Sequence, residues 1–139
     1  MSFSKVDSKM RARIKTLSFK YSDKPQPELL IPIPNPNSGL GYKITTIYPE
    51  FTSLCPLAPS QPDYATITIT YIPDKYIIEL KSQKFYLVSY RSVEIFHEAV
   101  VGQIFKDLFN ACSPKWLKVE GIFTVRGGIS TTVSVDGKK

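Results

Sequence analysis

One cysteine stands close to a carboxylate in a stretch of chain rich in proline. Cys55 is followed by Pro56, and Asp63 comes eight residues after the cysteine, at the end of a Gln-Pro-Asp triplet. A thiolate is a strong nucleophile, and a nearby carboxyl group can move the protons that its attack requires. A lone cysteine is more often a small buried hydrophobe. The spacing alone leaves both interpretations of Cys55 open.

A histidine and a glutamate form a second candidate pair at the start of a predicted helix. The carboxylate of Glu98 could accept two hydrogen bonds from the edge of a guanine-like base, and His97 could relay protons or exclude water. The structural alternatives are a capping or core histidine and a first-turn glutamate favoured by the helix dipole. Cys112 lies on the apolar face of the same helix, and we interpret it as a buried hydrophobe.

Cationic side chains supply possible phosphate contacts. Lys81 and Lys84 lie in the segment that runs from residue 79 to residue 86, and Arg126 precedes the pair Gly127 and Gly128. A guanidinium group suits bidentate contact with phosphate, whereas a solvated helix start is the structural alternative for the lysines. No G-x-G-x-x-G motif follows a strand, so the sequence contains no Rossmann cofactor site.

Alternation and proline placement predict the elements that position these residues. Residues 42–48 and 65–72 are predicted strands, the first ended by Pro49, and residues 76–80 are predicted to pair back on the second as a hairpin. Residues 84–90 and 94–111 are predicted helices. Residues 117–125 and 129–135 are predicted strands joined by a glycine turn. This order predicts an α+β domain, an antiparallel sheet with two helices on one face.

Length and composition narrow the class of protein. A chain of 139 residues with 42% hydrophobic content predicts one domain, 1–139, with a basic segment at 1–20 and an extended proline-rich loop at 25–38. No apolar run approaches the length of a membrane span, and two cysteines suit a reducing cytoplasm. Although the net charge is +6, the basic residues are dispersed, so we expect no direct nucleic-acid binding.

Taken together, these motifs resemble the nitrile reductase family that converts 7-cyano-7-deazaguanine to its aminomethyl form with NADPH, in the biosynthesis of the tRNA nucleoside queuosine. The resemblance covers residues 42–129. It implies the tunnelling fold (T-fold), in which open sheets of several subunits close into a barrel, and hence a homo-oligomer with sites between subunits. It also implies that Cys55 forms a thioimide with the nitrile, with Asp63 as general acid and His97 beside it.

The resemblance assigns the remaining candidates to substrate and cofactor. Glu98 would anchor the deazapurine, in a site that also includes Glu79, Leu80 and Ser82. The NADPH contacts would be Lys81, Lys84, Arg126 and Gly127. The segment departs from the family pattern at Gln83, where a hydrophobic residue is usual, and the spacer between Cys55 and Asp63 is one residue longer than is typical.

Several alternatives share some of these residues. An amidinotransferase acting on the same nitrile in tRNA would use the same thioimide but lacks the Lys/Ser segment, and a non-catalytic nucleobase-binding protein would need no thiol chemistry. A nitrilase-type hydrolase would pair Cys55 with a glutamate and a lysine, but the predicted fold disfavours it. Cys55, His97 and Cys112 are zinc-ligand types, yet they contain no close pair such as C-x-x-C, so we expect no metal.

Overall fold

The fold is built from a four-stranded sheet, a two-stranded ribbon and three α-helices. A computed structural model describes residues 6–139. Its elements in chain order are α1 (Ser8–Lys15), β1 (Pro32–Pro34), β2 (Ile44–Cys55), β3 (Ala58–Ile72), β4 (Tyr76–Ile78), α2 (Leu80–Val88), α3 (His97–Cys112), β5 (Trp116–Arg126) and β6 (Ile129–Lys138), with 3₁₀ turns at Pro27–Leu29 and Ser89–Ser92. The α+β class predicted from the sequence is confirmed, with one helix more than predicted.

The main sheet is antiparallel, in the order β2-β3-β5-β6. Its last hairpin turns at Gly127 and Gly128, whose φ angles are +56° and +80°. Glycine is the residue that adopts such angles at least cost, and tight hairpins need them. The predicted glycine turn is confirmed.

Helix α3 covers one face of this sheet. Its buried residues include Val100, Ile104 and Leu108, which recur every four residues and form one face of the helix. A Cβ atom added at Gly121 of β5 would lie only 2.9 Å from Cγ2 of Val101. The absence of a side chain at Gly121 therefore lets Val101 of α3 pack directly against β5.

Strand β2 is longer than predicted because Pro49 does not end it. The ladder between β2 and β3 shifts register between Tyr48 and Phe51, and a proline is tolerated at such an irregularity because no ladder hydrogen bond depends on its missing N–H. The strand then continues to Cys55. The cysteine thus lies at a strand end rather than in a loop.

The predicted hairpin between residues 65–72 and 76–80 is wrong. Both edges of β3 are already paired, with β2 on one side and β5 on the other, so β4 has no free edge of β3 to join. It pairs instead with β1 in the proline-rich segment, where Ile33 lies opposite Ile77. The adjoining Leu29, Leu30 and Ile31 are buried, so this loop packs on the protein and supplies a short strand.

The other predicted helices begin at different residues. Helix α2 begins at Leu80 because the Glu79 carboxylate accepts hydrogen bonds from the backbone N–H groups of Lys81 and Ser82, both at 2.8 Å. Helix α1 lies in the basic segment and is capped by Asp7; residues 1–5 of that segment lie outside the described residues. Helix α3 begins at His97, not at residue 94. None of the helices described is long and apolar enough to cross a membrane.

Candidate active site

Asp63 is a buried carboxylate on the helix-covered face of β3. It is 6% exposed and begins the alternation of buried residues that continues through Ala65 and Ile67. Across the ladder it lies opposite Ser53, two residues before Cys55. The hairpin of β2 and β3 therefore brings the predicted acid to the end of the strand that carries the predicted nucleophile.

Both carboxylate oxygens of Asp63 have cationic or ionisable partners. Nη2 of Arg126 lies 3.0 Å from Oδ1, and Nε2 of His97 lies 3.4 Å from Oδ2. Arg126 also donates to the backbone carbonyl of Pro62. A buried carboxylate without such partners would be strongly destabilising. The structure therefore brings Asp63, His97 and Arg126 into one cluster, which we call the Asp63 cluster.

Ring stacking and the backbone hydrogen bonds of the preceding segment hold His97 in this cluster. Its imidazole stacks on Phe123 of β5, with ring centroids 3.8 Å apart and planes 8° from parallel. The chain before it is fixed to the end of β2, since Leu54 donates to the carbonyl of Val93 and Ile95 donates to the carbonyl of Leu54. This short bridge replaces the helix predicted at residues 94–96 and fixes where α3 begins.

The two cysteines differ in burial. Cys55 is half-buried and has no disulfide partner, at a point where the β2–β3 ladder is irregular. Cys112 is buried in the core, and burial raises the pKa of its thiol to about 12. A thiol with so high a pKa is a poor nucleophile at neutral pH. Cys112 is thus a core residue, as predicted, and Cys55 is the accessible thiol.

Ser53 was not singled out from the sequence. Its side chain is fully buried, and its Oγ is the one buried side-chain polar atom without a hydrogen-bond partner among residues 6–139. Buried hydroxyl groups normally have a partner. Alternation along β2 could have placed it on the same face as Phe51, but nothing in the sequence marks it as unpaired.

Glu98 lies one residue beyond His97, at the exposed first turn of α3. Phe96, before the helix, makes no side-chain capping bond and is 51% exposed. The described contacts do not join Glu98 to the Asp63 cluster. Its assignment as the anchor of a base stays a prediction.

The segment at the start of α2 has structural contacts of its own. The hydroxyl of Ser82 donates to the carbonyl of Glu79 at 2.7 Å and accepts from the N–H of Ile31 at 3.0 Å. Glu79 caps the helix, whereas Leu80 is 65% exposed. Glu79 and Ser82 thus fix the backbone here, and the predicted substrate contacts of these residues stay predictions.

The two lysines of this segment lie in different surroundings. Nζ of Lys81 donates to the carbonyl groups of Ile14 and Lys15 at the end of α1. Lys84 is exposed and borders a cavity of about 400 Å³ that is also lined by Tyr48, Glu50, Phe85, Val88 and Arg91. Lys84 is therefore the more accessible cation, and the phosphate contacts predicted for both lysines stay predictions.

Gln83 and Gly127 also have evident structural roles. Gln83 is buried, and its Nε2 donates to Oγ1 of Thr46 at 2.7 Å. This bond satisfies the polar group at a position where a hydrophobic residue was expected. Gly127 lies in the turn between β5 and β6 with a positive φ.

Within the described part of the chain, no group of three or more histidine, cysteine or acidic residues could hold a metal ion.

Comparison with known proteins identifies the family. A family model described as "QueF-like protein" matches residues 62–139. The chain belongs to the QueF-like family. The matched range includes Asp63, His97 and Arg126, whereas Cys55 lies before it.

Curated relatives of this QueF-like chain extend the match toward its N-terminus. A protein of Magnetococcus marinus is 48% identical over 115 residues, which is 83% of this chain and 89% of the relative. One of Microcystis aeruginosa is 43% identical over 124 residues, 88% of this chain and 94% of the relative. Both are named NADPH-dependent 7-cyano-7-deazaguanine reductase. The predicted family is confirmed.

A solved structure has the same fold. It is the apo form of an archaeosine synthase described as QueF-Like, with a TM-score of 0.62 and 23% sequence identity, covering 72% of this chain and 95% of that chain. At this identity the likeness concerns the fold alone. The predicted T-fold of the QueF-like chain is confirmed, and its closure into a barrel of subunits stays a prediction.

Proposed function

We propose that this protein reduces the nitrile of 7-cyano-7-deazaguanine to 7-aminomethyl-7-deazaguanine, using two NADPH, within queuosine biosynthesis. Its relatives' names support the substrate and the cofactor. The observation that carries the proposal is the buried Asp63, held between His97 and Arg126 beside the end of the strand that carries Cys55. A thiol with an adjacent acid–base carboxylate suits addition to a nitrile.

The first step joins the enzyme to its substrate. The thiol proton of Cys55 passes to the carboxylate of Asp63, and the sulfur bonds to the nitrile carbon as one π bond between carbon and nitrogen breaks. The nitrogen then takes the proton from Asp63, which gives a thioimide and returns the carboxylate. No electron donor is consumed in this step.

Two hydride transfers complete the reaction. Hydride from a first NADPH would add to the thioimide carbon while the nitrogen takes a proton from solvent, and the resulting thiohemiaminal would collapse to an imine as the carbon–sulfur bond breaks and the nitrogen returns a proton to the Cys55 thiolate. Hydride from a second NADPH and a second proton from solvent would convert the imine to the primary amine, so the four-electron reduction consumes two NADPH and two protons overall. Exclusion of water protects both intermediates from hydrolysis, and His97, stacked on Phe123, is suited to close one side of the site.

The remaining parts of the proposal concern cofactor and assembly. Lys81 and Lys84 would contact NADPH phosphates and Glu98 would bind the deazapurine, with Glu79, Leu80 and Ser82 forming the adjoining wall.

The chain would self-associate into a ring of subunits. Exposed apolar side chains on the sheet, including Ile47 at 64% and Ile122 at 48% exposure, support burial against another copy. A reducing cytoplasm suits the free thiol.

The direct test follows NADPH oxidation with 7-cyano-7-deazaguanine by the wild-type protein, Cys55→Ala and Cys112→Ala. We expect two NADPH oxidised per nitrile, complete loss in Cys55→Ala, and retained turnover in Cys112→Ala, the matched thiol control. A Cys55 adduct seen by mass spectrometry without any NADPH oxidation would favour the amidinotransferase alternative. If the wild type gave neither turnover nor adduct, only a binding role would remain.

A further inference from the structure

A bulge in the last hairpin determines where the Arg126 side chain points. Phe123 pairs with Thr131 and Arg126 pairs with Ile129, so two residues of β5 lie opposite one residue of β6. Such an extra residue bends a strand and re-aims the side chains that follow it. Without the bulge, alternation would place Arg126 on the face opposite Phe123.

The exposure of the residues around the bulge shows how it directs their side chains. Phe123 is buried beneath α3, Val125 is 64% exposed, and Arg126 reaches Asp63 on the helix-covered face. The arginine side chain is 31% exposed, whereas that of Asp63 is 9% exposed. The bulge thus delivers a guanidinium group to a carboxylate that is otherwise cut off from water.

The sequence suggested a different role for Arg126, as a ligand of cofactor phosphate. To take that role, its guanidinium would have to leave Asp63, whose remaining side-chain partner would be the imidazole of His97 at 3.4 Å. Removing one partner of a buried ion pair leaves an uncompensated charge and is strongly unfavourable. The contacts therefore favour a role within the cluster.

We propose that Arg126 is a positioning residue that holds the Asp63 carboxylate in the orientation needed for thioimide formation, and that it is not a ligand of NADPH. The groups facing Asp63 are Arg126 from β5, His97 from α3 and Ser53 from β2. With Oδ1 fixed by Arg126, Oδ2 is the oxygen that meets His97 and moves the proton between Cys55 and the nitrile nitrogen. This inference rests on the proposed function.

The two roles of Arg126 are separated by an assay that contains no NADPH. Mixing the protein with 7-cyano-7-deazaguanine alone and following the Cys55 adduct by mass spectrometry reports only the first step. We expect Arg126→Gln to slow adduct formation about 10- to 100-fold, within the range that acid–base groups contribute. Arg126→Lys keeps the charge and is expected to recover part of the rate, and added guanidinium ion is expected to accelerate Arg126→Gln. Arg13→Gln on exposed α1 is the matched control and is expected to react as the wild type does.

Steady-state kinetics complete the test. We expect kcat to fall in Arg126→Gln while KM for NADPH stays within about twofold of the wild-type value, and the melting temperature of each variant checks folding. An Arg126→Gln variant with wild-type adduct formation and a KM for NADPH raised tenfold would overturn the positioning role alone. A wild-type protein that formed no adduct would overturn the proposed function as well.

Discussion

Asp63 and Asp107 are both buried aspartates, 6% and 7% exposed, yet they lie in different surroundings. Asp63 lies between Arg126 and His97. Asp107 lies in the core between α2 and α3, where Oδ2 accepts from the hydroxyl of Tyr86 at 2.6 Å and Oδ1 accepts from Nε2 of Gln103 at 2.8 Å.

This difference in partners supports the acid–base role proposed for Asp63 and a structural role for Asp107. Asp63 contacts a guanidinium group at one carboxylate oxygen and an imidazole ring at the other. The partners of Asp107 are neutral, and burial raises its pKa above the ordinary value of 3.8 despite the bonds from Tyr86 and Gln103, which lower it. Two carboxylates of similar burial thus have different partners, which fits chemistry proposed at one site and packing at the other.

The largest expected effect is on catalysis, from Asp63→Asn. An amide cannot accept the thiol proton of Cys55, so we expect kcat to fall about 10²- to 10⁴-fold, the usual contribution of an acid–base group. The measurement is NADPH oxidation at saturating substrate.

Asp107→Asn is the matched control for this change. It removes the same charge from an equally buried site, and the site is distant from Cys55 in sequence and in role. We expect its kcat to stay within about threefold of the wild-type value. Equal losses of kcat in the two variants would mean that the distinction between the carboxylates is mistaken.

The next effect is on stability, from Tyr86→Phe. The hydroxyl of Tyr86 joins Asp107 to Tyr90, whose hydroxyl lies 2.8 Å away. Removing it leaves a buried carboxylate oxygen and a buried hydroxyl without this partner, so we expect a loss of ~1–3 kcal/mol in the free energy of unfolding. Urea denaturation measures it. An unchanged free energy of unfolding would mean that the hydrogen bonds of the Tyr86 hydroxyl make no net contribution to stability.

Local patterns in the sequence predicted the parts of the fold that depend on local rules. The alternation of residues 65–72, the apolar face of α3 and the glycine turn identified strand β3, helix α3 and the last hairpin, but not the order of the strands in the main sheet. Pairing of β1 with β4 joins segments that are more than forty residues apart, and nothing in either segment specifies its partner. Packing between distant segments decides such pairings.

In the candidate site, too, local patterns predicted some features, whereas others depend on the packing of distant segments. The types and spacing of Cys55, Asp63 and His97 identified them as candidates, and the structure brings the last two into contact. The pairing of Arg126 with Asp63 depends on a bulge, which alternation alone does not reveal. The phosphate role predicted for Arg126 rested on its chemistry alone and stays a prediction.

A smaller effect is expected on the pH dependence of stability, through Asp107. Because its pKa is raised in the folded state, the folded protein binds more protons than the unfolded chain between pH 3.8 and the higher folded value. The free energy of unfolding therefore falls as pH rises through this window, by at most about 1.4 kcal/mol per pH unit for one group. Asp107→Asn removes this contribution. Urea denaturation of the wild type and Asp107→Asn from pH 3.5 to 7 measures this contribution. We expect the free energy of unfolding of the wild type to fall relative to that of Asp107→Asn as the pH rises. A difference between the two proteins that does not change with pH would contradict the prediction.

The smallest expected effect is that of Ser53→Ala, which tests the β2 position opposite Asp63. The hydroxyl of Ser53 is fully buried and unpaired, so its removal breaks no hydrogen bond and relieves the desolvation of a polar group. We expect the free energy of unfolding to stay equal or to rise by about 0.5 kcal/mol, as measured by urea denaturation. Thr46→Ala is the matched control, since its hydroxyl accepts from Gln83 and its removal should destabilise. A loss above about 1 kcal/mol in Ser53→Ala would mean that the hydroxyl has a partner in solution, and the Asp63 carboxylate across the ladder would then be the first candidate.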